Sequence, residues 1–230
     1  MRGRLLGLIE VPCLVAVPAT MLACAALDVD AAAGLTAAVA ALAVVVLAAQ
    51  VEATGPRLGQ VMLVVVLGAV AAAGRIAFAA IPDVKPVSAV CIIAGATLGR
   101  RSGFATGAIA ALASNAYFGQ GLWTPWQMYA WGLIGYLSGA LFSQQGDAPR
   151  WLMLVWGVAS GLLYGLILNG WYVVGYVRPL TWAGALSAFA LGIPYDVLHG
   201  LATAAFLLVL WVPWRSAIRR AVVKHGLGED

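Results

Sequence analysis

The chain has 230 residues, of which 63% are apolar and only 10% are charged. Soluble domains are about 45–50% apolar and about 25% charged, so this composition excludes a water-soluble protein. The net charge is only +4, and the basic residues do not cluster into a patch of the kind that binds nucleic acid. The sequence therefore predicts a polytopic membrane protein.

Eight apolar segments follow one another along the chain, separated by polar, proline or glycine residues. Since about 20 helical residues cross a bilayer core, each segment is a candidate span. The candidates cover residues 5–27, 32–51, 59–81, 86–99, 103–118, 126–143, 151–176 and 183–211. The fourth and fifth are short, which predicts that they are tilted, broken or shielded by neighbouring helices. The expected fold class is all-α, a compact transmembrane helical bundle packed through small residues.

The positions of the basic residues predict the orientation of the bundle. Eight spans leave only Lys85 and Arg178 on one side of the membrane and place the loop and tail arginines and Lys224 on the other. Because cytoplasmic loops carry the excess of Lys and Arg, we expect both termini to lie in the cytoplasm. The expected location of the bundle is the plasma membrane of a prokaryotic cell. The residues assigned to the cytoplasmic side are Arg2, Arg4, Arg57, Arg100, Arg101, Arg150, Arg215, Arg219, Arg220 and Lys224.

Motifs for metal binding and ATP hydrolysis are missing from the sequence. Cys13, Cys24 and Cys91 lie in apolar runs without the CxxC spacing of zinc or redox sites. The phosphate-binding string GxxxxGK[ST] does not occur. Ser160, with His199 as its base, is the one pair that suggests a serine nucleophile, but small-residue helix packing explains the surrounding GVASG more simply. We predict no metal, no permanent cofactor and no catalytic site.

Arg75 lies inside the third apolar segment, near its predicted outer end. An ionised side chain in a span costs at least about 2.5–3.5 kcal/mol and normally faces a cavity or a partner. Two interpretations fit: Arg75 binds an anionic or carbonyl-rich ligand, or it reaches the outer surface or pairs with a carboxylate for structural reasons.

Asp196 and His199 lie three residues apart in the last span, just after a helix break expected at Pro194. This spacing puts both side chains on one helical face, which we expect to point inward. They either contribute to a ligand site or form a structural network, in which Asp196 orients His199 or pairs with Arg75.

The segment 114–132 is rich in aromatic and amide side chains around Gly119 and Gly121. Tryptophan, glutamine and glycine together offer stacking surface, directional hydrogen bonds and a closely approachable backbone. The composition suits an outward-facing lid over a ligand, to which Asn169, Trp171 and Tyr172 could add. Tryptophan also forms interfacial belts in any membrane protein, which is the alternative for each indole.

Residues 74–139 contain a specific series of motifs: an arginine ending a helix, Pro-x-x-Lys-Pro, Gly-Arg-Arg-x-Gly-Phe, and SN…GQGLWTPWQM. Together with PYDVLHG in the last span, this series resembles the substrate-specific S components of energy-coupling-factor (ECF) transporters. The resemblance covers about residues 59–211. It implies a six-helix S-component core with a basic cytoplasmic tail over residues 59–230, preceded by a two-helix N-terminal extension over residues 1–58.

The resemblance implies a non-enzymatic subunit that captures a vitamin from outside. A transmembrane scaffold subunit and two cytoplasmic ATPases then drive its uptake. The WTPWQM string is most similar to cobalamin-type S components, with riboflavin and pantothenate as alternatives. Ala69 and Ala73 have the small-xxx-small spacing with which the family contacts its scaffold. The predicted substrate-binding residues are Arg75, Lys85, Asn115, Gln120, Trp123, Trp126, Gln127, Trp131, Asn169, Tyr172, Asp196 and His199.

An autonomous proton-coupled carrier is the main alternative function. Arg75, Asp196 and His199 would then form a proton relay, as intramembrane ionisable residues often do. The sequence shows no internal repeat of the kind found in many such carriers, which favours the binding subunit.

Overall fold

The computed structural model describes residues 2–27, 58–142 and 149–224, with residues 34, 36, 38–42 and 45 between the first two ranges. The elements with defined bounds are α1 (Arg2–Leu27), α2 (Leu58–Ala77), α3 (Val87–Leu98), α4 (Arg100–Phe118), α5 (Trp123–Phe142), α6 (Arg150–Tyr176) and α7 (Trp182–Lys224). These described ranges contain no strand, and the predicted all-α bundle is confirmed. Most of the second predicted span, 32–51, lies outside the described residues.

Among the described residues, three helices are long and apolar enough to cross a membrane. They cover Gly59–Ala77 in α2, Arg150–Tyr176 in α6 and Trp182–Lys224 in α7. Their exposed faces carry large apolar side chains such as Val66, Leu166 and Leu208, as lipid contact requires. The number of spans and the orientation of the termini stay predictions.

Two expectations about the last helix are wrong. It does not break at Pro194, which lies inside a continuous α7, and it continues beyond residue 211 to Lys224. Proline is tolerated inside transmembrane helices because neighbouring helices and local adjustments satisfy the freed carbonyl. The apolar run ends at residue 211 because basic residues follow it, whereas the helical backbone continues.

The short helix α3 is the core of the bundle. Its 12 residues rise only about 18 Å, less than the roughly 30 Å of a hydrocarbon core. Every residue of α3 except Thr97 is buried, and the helix packs against α2, α4, α5, α6 and α7. Neighbouring helices therefore shield α3, which was one of the arrangements expected for this short segment.

Glycines bring the backbones of α3, α4 and α5 together. A Cβ at Gly95 or Gly103 would overlap the carbonyl of Gly135, and a Cβ at Gly135 would overlap the backbone of Gly103. Gly99 alone connects α3 to α4, with φ at +91°, a conformation that favours glycine. The two helices can therefore reverse direction in a single residue.

Helices α6 and α7 pack antiparallel in a regular register. The facing positions are Gly157 with Ala204, Gly161 with Gly200, Gly165 with Asp196, and Gly192 with Asn169. The residue numbers of each pair have the same sum, as a continuous antiparallel contact requires. The predicted role of small residues in helix packing is thus fulfilled here, and the register fixes which side chains of α7 face α6.

Helix α1 is attached to α5 through a carbonyl group that a proline has freed. Pro18 has no N–H to donate to the carbonyl of Leu14, four residues earlier. The hydroxyl of Tyr129 donates to this Leu14 oxygen at 2.7 Å instead. Tyr129 is buried, so the bond anchors the N-terminal extension to the core of the bundle.

Candidate functional site

Polar side chains from six helices converge at one end of the bundle, where α2, α4 and the second half of α6 meet the beginnings of α3 and α5. Helix α7 adds a side chain from its middle. We call this group the Arg75 cluster. Its members are Arg75, Ser88, Ser114, Asn115, Gln127, Trp131, Tyr164 and His199.

Arg75 is held by neutral groups. Its Nη1 donates to Ser114 Oγ at 2.6 Å and to Asn115 Oδ1 at 2.7 Å. The guanidinium carbon lies 4.5 Å from the ring centroid of Phe118 and 4.9 Å from that of Trp131, within the range of cation–π attraction. Among the described residues, no carboxylate lies within ion-pair distance of Arg75. The cluster therefore fixes a cation without neutralising it.

Asn115 connects Arg75 to the first turns of α5. It is fully buried, and its Nδ2 donates to Gln127 Oε1 at 2.8 Å and to Thr124 Oγ1 at 3.0 Å. Thr124, Gln127 and Trp131 share one face of α5 because they are spaced by three and four residues. The helical register of α5 thus presents these side chains to Arg75.

Trp131, Ser88 and His199 form a buried hydrogen-bonded chain across α5, α3 and α7. The indole Nε1 of Trp131 donates to Ser88 Oγ at 3.2 Å, and Ser88 Oγ lies 2.8 Å from His199 Nε2. Ser88 Oγ either donates its hydrogen to Nε2 or accepts a hydrogen from Nε2, depending on the tautomer of His199. Trp131 therefore contacts both Arg75 and the chain that ends at His199.

Tyr164 of α6 completes the aromatic part of the cluster. Its ring centroid lies 4.9 Å from that of Trp131 and 4.8 Å from that of His199. Tyr164 therefore lies between His199 and Trp131, the ring that contacts Arg75.

Asp196 and His199 have separate partners. Asp196 Oδ2 accepts a hydrogen bond from Asn169 Nδ2 at 2.9 Å, and its carboxylate fills the space that a side chain at position 165 would occupy. His199 bonds to Ser88. The structural alternatives in which Asp196 orients His199 or pairs with Arg75 are therefore not the arrangement observed.

Lys85 lies in the turn between α2 and α3, where its ammonium group ties the turn together. It donates to the carbonyl oxygens of Phe78 and Ile81. Burial lowers the pKa of Lys85, while nearby Asp83 raises it. Burial also raises the pKa of the Asp83 carboxyl, with Lys85 opposing. Lys85 thus has a clear structural role beside the cluster.

The aromatic residues expected to form a lid are divided between three places. Trp131 lies in the cluster, Trp123 is 39% exposed, and Trp126 is fully buried. Trp126 donates to Thr36 Oγ1 at 3.2 Å and stacks on Trp171. Trp126 and Trp131 separate because both lie in α5, where a spacing of five residues turns their side chains roughly 140° apart. Trp126 belongs to the contact with the N-terminal extension.

Two other predicted residues also lie outside the cluster. Gln120 donates to the carbonyl of Leu112 and accepts from Thr124, which fastens the short connection between α4 and α5. Tyr172 is exposed and stacks on Tyr176 near the end of α6.

Ser160 shows no nucleophile geometry. Its hydroxyl donates to the carbonyl of Gly157 in its own helix at 2.7 Å, whereas the imidazole of His199 bonds to Ser88. In the described parts of the chain, no group of three His, Cys, Asp or Glu side chains could hold a metal ion.

Sequence reasoning missed Ser88, Ser114, Phe118 and Tyr164. Serine and tyrosine are common in apolar helices, and nothing local marks them as partners of residues far along the chain. One signal was available: Ser114 is next to Asn115 and four residues before Phe118. This spacing allows Ser114 and Phe118 to face the same neighbouring helix as Asn115.

The fold and the site together define an all-helical bundle with helices long and apolar enough to cross a membrane and a partly buried arginine cluster at one end. The chain belongs to a family of unknown function, DUF6580, whose family model matches residues 56–222. This match covers α2 to α7. Comparison with curated proteins and with solved structures gives no match.

Proposed function

We propose that this protein is the substrate-binding membrane subunit of an ECF-type importer. It captures a vitamin from outside, with cobalamin or a related cobamide as the first candidate, and partner subunits supply the ATP hydrolysis. Riboflavin and pantothenate are the alternative ligands. The proposal joins the motif resemblance of residues 74–139 to the side chains that those motifs contribute.

The observation that carries the proposal is the arrangement of Arg75. Most of its partners, Ser114, Asn115, Phe118 and Trp131, belong to the segment that resembles S components. They hold the guanidinium in place and leave its charge without a carboxylate partner in the described residues. A positioned charge among aromatic and amide groups is typical of a small-molecule site. On the orientation that the basic residues predict, this end of the bundle faces outward.

The exposed face of α2 is the candidate contact for the scaffold subunit. Ala69 and Ala73 both lie on this face, beside the exposed Val66 and Val70. Small residues allow a second helix to approach closely. The opposite face of α2 packs against α4, where Gly68 contacts Ile109, so only the outer face is available to a partner.

Binding and uptake measurements on the purified chain test the proposal. Cobalamin, riboflavin and pantothenate are titrated against the protein in detergent, and vesicle uptake is then measured with the chain alone. We expect one vitamin to bind and none to accumulate without ATPase partners. Ala69→Leu together with Ala73→Leu should leave binding unchanged and weaken association with the scaffold. Strong accumulation by the isolated chain would refute the proposal.

A proton-coupled carrier is the second candidate, and one observation favours it. His199 is buried in a hydrogen-bonded chain, and Asp196 lies one helical turn away on α7. Uptake by vesicles that contain only this chain, driven by a pH gradient and abolished by His199→Gln, would establish the carrier instead.

A further inference from the structure

We propose that Arg75 recognises a carboxylate group on the ligand, which acts as the missing counter-ion of the guanidinium. This inference rests on the proposed function and narrows its substrate class to a vitamin or related molecule with an accessible carboxylate, which pantothenate carries and cobalamin and riboflavin lack.

The charge of Arg75 has no acidic partner among the described residues. An arginine inside a span normally pairs with an acidic group or faces water. Arg75 instead receives two neutral acceptors and two aromatic faces. In the described part of the chain, neither Asp83 nor Asp196 forms an ion pair with it. A ligand that brings a negative charge would therefore gain more at this position than a neutral ligand.

The donors of Arg75 restrict the direction of approach. A guanidinium has five N–H donors in one plane, and two of them, on Nη1, are directed at Ser114 and Asn115. The rings of Phe118 and Trp131 lie over the guanidinium and restrict approach from its faces. Nε and Nη2 have no acceptor among the described residues. These two atoms form the edge that binds a carboxylate through two parallel hydrogen bonds.

The surrounding charges distinguish a carboxylate from a doubly charged phosphate. Asp83 lies in the turn between α2 and α3, and Asp196 lies one helical turn from His199 on α7. Lys85 donates to the carbonyl groups of Phe78 and Ile81 in that turn. A site with the single positive charge of Arg75 and acidic side chains on neighbouring elements favours a monoanion, because a second negative charge would be repelled.

Small matched probes test the inference without knowledge of the natural ligand. The purified protein is titrated with benzoate, with neutral benzamide of the same shape, and with dianionic sulfate, and the thermal midpoint is followed. We expect benzoate to raise the midpoint clearly more than the other two probes. Arg75→Gln should weaken benzoate binding by roughly 10-fold or more, the loss expected for a hydrogen bond to a charged group.

Two further variants keep the test decisive. Arg75→Lys retains the charge but loses the planar fork, so its response should be intermediate. Arg219→Gln, an exposed arginine near the far end of α7, should respond like the parent. If Arg75→Gln is not monodisperse, the probe comparison on the parent and on Arg75→Lys decides.

The outcomes separate this inference from the proposed function. Equal responses to benzoate and benzamide, no response of the parent to benzoate, or an unchanged response of Arg75→Gln would each overturn the carboxylate inference. Capture of a vitamin would survive those results if one still binds. Conversely, a benzoate response without binding of any vitamin would support the anion site and count against the importer.

Discussion

Asn115→Asp would place a carboxylate beside Arg75, which has no carboxylate partner among the described residues. Asn115 Oδ1 already lies 2.7 Å from Arg75 Nη1, so the substitution creates an ion pair without a change in side-chain size. The two donors of Nδ2 are lost, but the amide of Gln127 can turn its nitrogen toward position 115. The hydroxyl of Thr124 can turn from Gln120 to donate to the new carboxylate, because Gln120 is exposed and can bond to water instead. We therefore expect the variant to fold at least as stably as the parent.

Ligand binding should respond in the opposite direction. With an internal counter-ion, Arg75 gains less from a ligand carboxylate. The loss corresponds to about one hydrogen bond to a charged group, roughly 1.5–3 kcal/mol. This is roughly 10- to 150-fold in affinity. Benzoate titration followed by the thermal midpoint measures both quantities, because the ligand-free midpoint reports stability and its rise reports binding.

Asn115→Ala is the control for this prediction. It removes one of the two acceptors of Arg75 without adding a charge, and it removes the buried donors to Gln127 Oε1 and Thr124 Oγ1. Such losses cost about 1–3 kcal/mol each, so this variant should be destabilised. The reasoning is refuted if Asn115→Asp binds benzoate as tightly as the parent, or if it is destabilised as much as Asn115→Ala.

Three further predictions concern the frame around the site. Tyr129→Phe should destabilise the protein by about 1–3 kcal/mol, because it leaves the Leu14 carbonyl unsatisfied. This cost should be smaller in a Pro18→Ala background, where the backbone N–H of residue 18 can donate to that carbonyl. Equal costs in the two backgrounds would contradict the prediction. Gly161→Ala should cost about 1–3 kcal/mol in thermal unfolding because its Cβ would overlap the backbone of α7, whereas Gly184→Ala, which meets only side-chain atoms at 3.0 and 3.2 Å, should cost much less. Burial raises the folded-state pKa of Asp83 above 3.8, so its contribution to stability is present below that pH and is lost as the pH rises through the folded pKa. Asp83→Asn should remove this part of the pH dependence of the thermal midpoint, and an unchanged profile would exclude the effect.

Much of the helical framework could be predicted from hydropathy. The predicted segments 103–118 and 151–176 end at the same residues as α4 and α6, because Gly119 follows the first directly and Arg178 and Pro179 lie just beyond the second. The end of α7 could not be found in this way, since helix and apolar run end at different places. Pro194 was also misleading, because a proline in a packed transmembrane helix does not oblige the helix to end.

The candidate site was only partly predictable. Arg75 and His199 were identified because polar groups are conspicuous in apolar helices, and Asn115 and Gln127 because they occur in a motif. The contact of Trp126 with Thr36 and the position of Tyr164 between Trp131 and His199 depend on how the helices are rotated against one another. A single sequence does not contain that information in readable form.

The most direct test of the central claim is the identification of small molecules that co-purify with the protein. Mass spectrometry would compare the parent with Arg75→Gln and Arg219→Gln, purified in the same way from the same cells. We expect one carboxylate-bearing molecule to co-purify with the parent and with Arg219→Gln, and to be lost from Arg75→Gln. Recovery of the same molecule in equal amounts from all three proteins would contradict a ligand site at Arg75.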